Sequence, residues 1–360
     1  MSVQISYKKQ TLFAIIVIAL ILFSIEGISR VMLYPTSCEV IMNESKVYSE
    51  FDNISIQEMC RDYKTTVANR HTPITYLEPN SNSKTISVNN FGFRGNDITI
   101  EKNENIFRIF VVGGSTVYGS NASSDESTIP GYLEQFLQKS NNEQKFEVIN
   151  AGVPGDWSFQ ENQKIKGMLI KFEPDLIIIY DGWNELNFNN KGFEEDQLSY
   201  YLSYLPQKFQ YYYHTPEFIT KMINSLEKQQ EIDLDNLSEE KVSRWYQRHS
   251  EICELSKNEN FMTVIILQPH LDLGKKPLSE FENKILKNYP QKIAKIAYPY
   301  FQNSLHELDE KCTKTDDFSD IFDNVDKPIF FDNGHMGDLG NEIVAKRMYQ
   351  LVFEVMSNQN

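Results

Sequence analysis

Apolar residues are concentrated in one continuous run near the start of the chain. The run LFAIIVIALILFSI, residues 12–25, follows Lys8 and Lys9. The helical pattern continues beyond it, and a helix over 11–33 would be about 35 Å long, enough to cross the hydrocarbon core of a membrane. No cleavage site of small residues follows, which favours a retained signal anchor over a cleaved signal peptide, with the cleaved form left open. The two lysines predict that residues 1–10 are cytoplasmic and that the chain beyond the helix is extracytoplasmic.

The next stretch, residues 34–105, is polar and has no regular apolar period. It ends in NNFGFRGNDITIEKNEN, whose glycines predict turns. We therefore expect an irregular extracytoplasmic extension that links the anchor to the main domain.

From residue 106 onward, short apolar runs alternate with segments of helical period. The apolar runs predict five strands: Phe107–Val112, Phe146–Asn150, Leu176–Tyr180, Met262–Gln268 and Ile329–Phe331. The helical segments are Thr128–Gln138, Gln160–Lys171, 278–308 and 340–356. Because the strands are apolar throughout and are separated by helices, the pattern predicts an α/β fold with a parallel sheet covered on both faces. Ligands bind such sheets beyond the carboxyl ends of the strands.

One interval is longer than a crossover needs. About 80 residues separate the third and fourth predicted strands, where a single helix would suffice. We expect a mostly helical insertion over 186–258, above the ligand-binding edge of the sheet. The interval is rich in aromatic residues, including Tyr211–Tyr213 and Trp245. Such side chains either stack on sugar rings and line an acyl pocket or bury the insertion against the sheet, and the sequence leaves both open.

Size and charge narrow the classes of function. The chain has 360 residues and is 41% hydrophobic, enough for one large α/β domain with appendages. Its net charge is −15, and it contains no block rich in lysine and arginine. Because sequence-independent binding of nucleic acid needs basic patches, we expect no nucleic-acid partner.

The four cysteines, Cys38, Cys60, Cys253 and Cys312, all follow the apolar run. No C-x-x-C pair occurs, which argues against zinc-finger and thioredoxin-like sites. An extracytoplasmic location favours two disulfides. Three pairings are open, of which Cys38–Cys60 and Cys253–Cys312 are the local ones. Outside the C-terminal motif described below, the histidines lack metal-ligand spacing, so we expect no metal and no cofactor.

The first predicted strand leads into a turn of small residues, RIFVVGGSTVYGS. The turn lacks the lysine of a Walker phosphate loop, the glycine spacing of a dinucleotide fingerprint and the last glycine of G-x-S-x-G. Taken alone, G-G-S-T after a strand is more typical of a helix N-cap than of a nucleophile.

A second motif near the C-terminus favours catalysis by Ser115. In FFDNGHMGDLG, Asp332 and His335 lie three residues apart, between the last predicted strand and the last helix. In such a turn the carboxylate can hold one imidazole nitrogen and leave the other free for a serine hydroxyl. Two further turns, after the second and third strands, offer oxyanion donors at Gly152 in NAGVPGD and at Asn184 in YDGWNEL.

These four blocks resemble the SGNH (GDSL-type) hydrolase superfamily, in its membrane-anchored extracytoplasmic form. Ser115 in G-G-S-T, Gly152 in N-A-G, Asn184 in G-W-N-E and Asp332 with His335 in D-x-x-H follow the order of the family. The resemblance implies a three-layer α/β/α, flavodoxin-like fold with a five-stranded parallel sheet over 106–357. It also implies ester hydrolysis. Ser115 would be the nucleophile, His335 the base and Asp332 its orienting partner, with an oxyanion hole made by the Ser115 and Gly152 N–H groups and the Asn184 amide.

Two positions depart from the family pattern. Gly114 stands where the family has the Asp of G-D-S, and Glu185 where it has the Asp of G-x-N-D. Neither position carries the nucleophile, the base or an oxyanion donor, so activity is still expected. Arg94, in the glycine-rich turn of the extension, is more typical of a structural fork to backbone carbonyls than of a substrate contact.

The sequence therefore predicts a carboxylic-ester hydrolase. Its expected substrate is an O-acyl group on a cell-surface glycan or a lipid ester, and the residues do not choose between them. Acyl transfer to a sugar hydroxyl would use the same residues. A carbohydrate-binding or envelope-assembly protein without turnover is the alternative from another class, although a binding module needs no aligned base.

Overall fold

The computed structural model describes residues 6–33, 37–68, 71, 74–140, 144–186, 233–288 and 292–357. Most of the predicted insertion, including Tyr211–Tyr213, lies outside the described residues, as does the boundary between the first helix and the extension.

A five-stranded parallel sheet forms the centre of the molecule. The strands are β1 (Ile106–Gly113), β2 (Lys145–Asn150), β3 (Leu176–Asp181), β4 (Met262–Leu267) and β5 (Lys314–Asp317). Their order in the sheet is β2-β1-β3-β4-β5. The predicted α/β fold with a five-stranded parallel sheet is therefore confirmed, as are the positions of its first four strands.

Ten helices cover or flank this sheet in the described part of the chain. They are α1 (Tyr7–Leu33), α2 (Cys38–Ser45), α3 (Asn53–Ala68), α4 (Ser115–Tyr118), α5 (Ile129–Lys139), α6 (Ser158–Gly167), α7 (Leu234–Glu259), α8 (Glu280–Asn288), α9 (Lys292–Asp309) and α10 (Asp338–Ser357). Short 3₁₀ turns follow at Leu169–Phe172 and Asn184–Leu186. The predicted helix over Gln160–Lys171 is thus α6 plus a 3₁₀ turn, and the one over 278–308 is the separate helices α8 and α9.

Alternate residues of the strands enter two cores, one on each face of the sheet. Phe110 and Ile179 face a layer made by α6, α7 and α9, whereas Val111 and Ile178 face α5, α8 and α10. Successive side chains of a strand point to opposite faces, so continuous apolar runs become two buried surfaces. The three-layer α/β/α arrangement follows from this burial.

The fifth strand differs from the prediction. It is the polar segment KTDD, Lys314–Asp317, which pairs with β4 at the edge of the sheet. The predicted run Ile329–Phe331 is buried but lies outside the sheet, because its N–H groups have other acceptors. Ile329 and Phe330 donate to the Glu282 carboxylate at 3.0 and 3.2 Å. Burial of an apolar run therefore does not require strand pairing, and an edge strand can be polar.

The extension is more regular than the prediction. Within residues 34–105, α2 and α3 form a small core in which Met42, Tyr48, Ile56 and Met59 pack against Phe331 of the catalytic domain. The prediction of an irregular segment was wrong for Cys38–Ser45 and Asn53–Ala68, which are helical. The disulfide Cys38–Cys60 joins the two helices.

The second disulfide, Cys253–Cys312, joins α7 to the segment that leads into β5. Both pairings are the local ones among the three possibilities. α7 itself covers 234–259 of the predicted insertion, and its Trp245 is fully buried, with its ring centroid 5.1 Å from that of Phe301 on α9. This part of the predicted insertion therefore belongs to the layer that covers the sheet.

The N-terminal helix α1 is apolar and, apart from residues near its C-terminal end, exposed in the monomer. Among the described residues, one helical region at the N-terminus has the length and composition needed to cross a membrane. A signal sequence would have the same properties, so this finding alone leaves the choice between anchor and signal sequence open.

Candidate active site

The strand register brings the candidate residues to one edge of the sheet. Val111 of β1 pairs with Asn150 of β2, and Gly113 of β1 pairs with Tyr180 of β3. The carboxyl ends of the neighbouring strands β2, β1 and β3 therefore meet, and the turns that follow them carry Gly152, Ser115 and Asn184. This is the edge at which ligands bind in open parallel sheets.

Two glycines allow the chain to turn sharply from β1 into α4. A Cβ atom at Gly113 would lie 2.5 Å from the Tyr180 carbonyl oxygen. A Cβ atom at Gly114 would lie 2.2 Å from Asn184 Nδ2. Gly114, which stands where the family has Asp, thus leaves the space that the Asn184 amide occupies beside the nucleophile turn. Ser115 is the first residue of α4, and it is 9% exposed.

His335 and Asp332 form a hydrogen-bonded chain to Ser115. His335 Nε2 lies 2.6 Å from Ser115 Oγ, and His335 Nδ1 lies 2.7 Å from Asp332 Oδ2. The second carboxylate oxygen, Asp332 Oδ1, accepts the N–H groups of Gly334 at 2.9 Å and His335 at 2.7 Å. Because an ionised carboxylate only accepts, the neutral imidazole carries its proton on Nδ1, and Nε2 is left to accept the serine proton.

His335 and Asp332 also shift each other's pKa. Burial opposes the charge on His335, but the Asp332 carboxylate outweighs it and raises the pKa of His335 above 6.5. Burial likewise opposes the charge on Asp332, yet His335 and the two N–H donors hold the pKa of Asp332 down at about 2. The Asp332 side chain is still 52% exposed, so solvent screens part of this attraction. Asp332 is accordingly ionised at neutral pH, and His335 protonates at a higher pH than a free imidazole.

Asn184 lies next to Gly114, on the 3₁₀ turn after β3. Its Nδ2 donates to the backbone oxygen of Asp156 at 2.7 Å. This bond engages one of the two amide protons and orients the side chain. The contact also ties the end of β3 to the segment that enters α6.

Gly152 has a different environment from the one expected. Its N–H donates to Asn150 Oδ1 at 3.1 Å. A Cβ atom at Gly152 would lie 2.3 Å from the backbone nitrogen of Tyr118, so the residue is packed tightly against α4. The structure brings Gly152 to the nucleophile turn but gives its N–H a protein acceptor. An oxyanion would have to compete with Asn150 for this donor.

Sequence reasoning missed Asn150, although it stands in the N-A-G block. Its Nδ2 donates to the carbonyl oxygens of Val117 at 3.0 Å and Tyr118 at 3.3 Å. These are carbonyls of the short helix α4, which lacks later turns to satisfy them. Asn150 therefore fixes the end of β2 to the helix that carries Ser115.

Arg94 supports the same helix from the other side. Its Nη1 donates to the Tyr118 carbonyl at 3.1 Å and to the Gly119 carbonyl at 2.8 Å, and its Nε pairs with Asp125 at 2.7 Å. The side chain is 1% exposed. The interpretation of Arg94 as a structural fork to backbone carbonyls is thus the one that the contacts support.

Glu185, the second departure from the family pattern, is also structural. Its carboxylate accepts the Ser158 hydroxyl at 2.7 Å and pairs with Arg248 at 3.1 Å. Burial raises the pKa of Glu185 to about 7, although Arg248 and the Ser158 bond favour the charged form. The extra methylene of glutamate lets this position reach α6 and α7 together.

The wall of the site next to His335 is aromatic. A Cβ atom at Gly334 would lie 3.4 Å from the Trp183 ring. The centroid of the Trp183 ring lies 4.3 Å from that of His270, and Trp183 itself is half-buried. The indole therefore presents an apolar surface beside the turn that carries His335.

The extension braces the turn that carries His335. Tyr48 Oη bonds to Asp338 Oδ1 at 2.6 Å and to the Asn121 carbonyl at 2.5 Å. A Cβ atom at Gly337 would lie 2.4 Å from Val47 Cγ1. The turn between α2 and α3 thus packs directly against the residues that follow His335.

Comparisons with known proteins found distant structural similarities. No protein-family model and no curated protein sequence matches the chain. Among solved structures, the acetyl xylan esterase AlAXEase is 12% identical, with 68% of this chain and 99% of that chain covered and a TM-score of 0.44. Axe2, an acetylxylan esterase from Geobacillus stearothermophilus, is 13% identical, with 68% and 92% covered and a TM-score of 0.38. A two-domain esterase active on acetylated mannans is 15% identical, with 69% and 49% covered and a TM-score of 0.41.

These values describe a likeness in fold. The resemblance to the SGNH hydrolase superfamily rests on the four motif blocks of the sequence. The chemistry of the chain has to follow from its own residues.

Proposed function

We propose that the protein is a serine esterase in which Ser115, His335 and Asp332 form the catalytic triad. The observation that carries the proposal is the continuous hydrogen-bonded chain from Asp332 through His335 to Ser115, with contacts of 2.7 and 2.6 Å. A binding protein gains nothing from a base aligned on a serine, whereas nucleophilic catalysis requires it.

The reaction begins with attack of Ser115 Oγ on the carbonyl carbon of an ester. The serine proton passes to His335 Nε2, and the imidazolium that forms is stabilised by the Asp332 carboxylate. The C–O bond to the alcohol then breaks, and His335 returns the proton to the leaving oxygen. A water molecule, deprotonated by the same imidazole, attacks the acyl-serine and releases the carboxylic acid.

The tetrahedral intermediate carries a negative charge on the former carbonyl oxygen. The Asn184 amide and the Ser115 N–H are the donors best placed beside Ser115 Oγ to stabilise it. Gly152 would join them if its N–H left Asn150 Oδ1 for the stronger, charged acceptor.

The proposed substrate is an O-acyl ester of a cell-surface glycan or of a lipid. The proposed location is the outer side of the cytoplasmic membrane, with α1 as a single-pass signal anchor. Two disulfides in the part of the chain beyond α1 support an oxidising, extracytoplasmic compartment.

The test is ester turnover by the full chain in detergent. We expect hydrolysis of p-nitrophenyl acetate and release of acetate from an O-acetylated polysaccharide, both lost in Ser115→Ala. A long-chain p-nitrophenyl ester, assayed in parallel, distinguishes a lipid esterase from a glycan esterase. Equal turnover by wild-type protein and Ser115→Ala would refute the proposal. Turnover only when a sugar acceptor is added would replace hydrolysis by acyl transfer.

A further inference from the structure

A second cluster of ionisable side chains is enclosed away from Ser115, between α6, β3 and α7. Glu161 projects from α6, Asp181 is the last residue of β3, and His249 lies on α7. All three are buried, with exposures of 1%, 3% and 2%. One carboxylate oxygen or imidazole nitrogen from each lies within 4.8 Å of the others.

Most of the oxygen atoms of this cluster have no hydrogen-bond partner. Glu161 Oε1, Glu161 Oε2 and Asp181 Oδ2 are buried and accept no bond from any described residue. The remaining oxygen, Asp181 Oδ1, accepts the indole N–H of Trp245 at 2.8 Å. Burying charged carboxylate oxygens without donors is strongly unfavourable, so the cluster needs either a bound cation or a proton.

The histidine is oriented to add a third lone pair. His249 Nδ1 lies 2.7 Å from the Trp245 carbonyl oxygen. A carbonyl only accepts, so the neutral ring carries its proton on Nδ1 and turns the lone pair of Nε2 toward Asp181 Oδ2, 3.6 Å away. A backbone carbonyl that fixes the tautomer in this way is the usual support of a histidine that binds a metal.

The neighbouring lysine and arginine side chains donate hydrogen bonds to other acceptors. Lys164 Nζ donates to Asp156 Oδ2 at 2.8 Å and to the Ala151 carbonyl at 2.9 Å. Arg248 pairs with Glu185, and Lys241 donates to the Glu185 carbonyl at 3.0 Å. None of these cations donates a hydrogen bond to the three unpartnered oxygens.

We propose that Glu161, Asp181 and His249 bind one zinc ion that joins α6, β3 and α7. An imidazole nitrogen with carboxylate oxygens is a donor set that zinc accepts. The 3.6 Å between His249 Nε2 and Asp181 Oδ2 is close to the edge of about 3.4 Å in a tetrahedron with bonds of about 2.1 Å. One carboxylate oxygen of Glu161 supplies the third donor.

The ion is structural in this account. It is enclosed between two helices and a strand, and it holds the end of β3 three residues before Asn184. The sequence pattern did not predict a metal site here, because the three ligands come from separate elements and share no short motif. The inference does not depend on the proposed esterase activity.

The test measures metal content and stability in the full chain. After purification with zinc and removal of excess metal, elemental analysis should find about one zinc ion per wild-type chain. Chelation should lower the Tm of the wild-type protein by several degrees, and added zinc should restore it. Glu161→Gln should lose the ion and the zinc-dependent change in Tm. Glu251→Gln, which alters an exposed carboxylate of α7, should keep both.

The alternative is a proton shared between Glu161 and Asp181. Glutamine mimics a protonated carboxyl group, so Glu161→Gln would then be as stable as wild type or more stable. Unchanged or increased stability of Glu161→Gln would overturn the proposal. So would a wild-type protein without bound zinc, or a wild-type Tm that neither chelation nor added zinc changes. The wild-type titration decides the matter even if Glu161→Gln does not fold.

Discussion

Replacement of Asn184 by alanine separates an oxyanion donor from a side chain that only holds the fold. In the structure the amide donates a hydrogen bond to the Asp156 carbonyl at 2.7 Å and lies against Gly114, next to the turn that carries Ser115. Loss of that ground-state bond should lower the free energy of unfolding by about 1 kcal/mol. Loss of a donor to the oxyanion should raise the activation barrier by about 3–4 kcal/mol, which is a fall of about 10²–10³-fold in kcat.

The fall in kcat and the loss of stability are measured in separate experiments. Steady-state kinetics on p-nitrophenyl acetate should show the fall in kcat with little change in KM, because the donor acts on a charge that exists only in the transition state. Denaturant unfolding should show the small loss of stability. Asn184→Asp should be at least as inactive, since a carboxylate would face the developing negative charge. If Asn184→Ala kept most of its kcat while its Tm fell by several degrees, Asn184 would be a structural residue and the oxyanion assignment would be wrong.

Three further predictions follow from the contacts around the site. Only neutral His335 can accept the serine proton, so kcat/KM should rise with pH through a midpoint above 6.5. Asp332→Ala should lower that midpoint and reduce kcat about 10⁴-fold. An unchanged midpoint would contradict the raised pKa of His335. Tyr48→Phe should lower the free energy of unfolding by about 1–3 kcal/mol in urea, whereas the matched Tyr300→Phe, which removes a 3.3 Å surface bond, should have little effect. Reduction of the disulfides should lower the free energy of unfolding by about 3–4 kcal/mol per bridge, and alkylation of thiols in the native, unreduced protein would argue against them.

The arrangement of the triad could be predicted because sequence order and sheet geometry agree. Ser115, Gly152 and Asn184 each follow an apolar strand within a few residues, and parallel strands place their carboxyl ends at one edge. The D-x-x-H spacing then allows Asp332 and His335 to meet within a single turn. The positions of these residues could be predicted because they depend only on local sequence pattern and on the topology of a parallel sheet.

Other features depend on tertiary contacts that leave no periodic signal. Ile329–Phe331 is as apolar as a strand, yet the Glu282 carboxylate accepts two of its N–H groups and keeps it out of the sheet. The N–H of Gly152 is engaged by the side chain of Asn150, which only coordinates can reveal.

The helices of the extension had a detectable signal that a search for longer amphipathic segments overlooks. In α3, Ile56, Met59, Cys60, Tyr63 and Val67 recur at helical spacing. Ile56, Met59 and Cys60 pack against α2 and Phe331, whereas Tyr63 and Val67 pack in a second cluster with Leu77, Ile86, Val88 and Tyr118. These cores exist only when separate parts of the chain come together.

The most direct test of the central claim is chemical labelling of the nucleophile. The full chain is treated with a fluorophosphonate, digested, and analysed by tandem mass spectrometry to locate the modified residue. The account predicts one stable adduct, on Ser115, formed rapidly by the wild-type protein and at a greatly reduced rate by His335→Ala, in which the base is missing. An adduct on another serine, or labelling of Ser115 at the same rate with and without His335, would contradict the account.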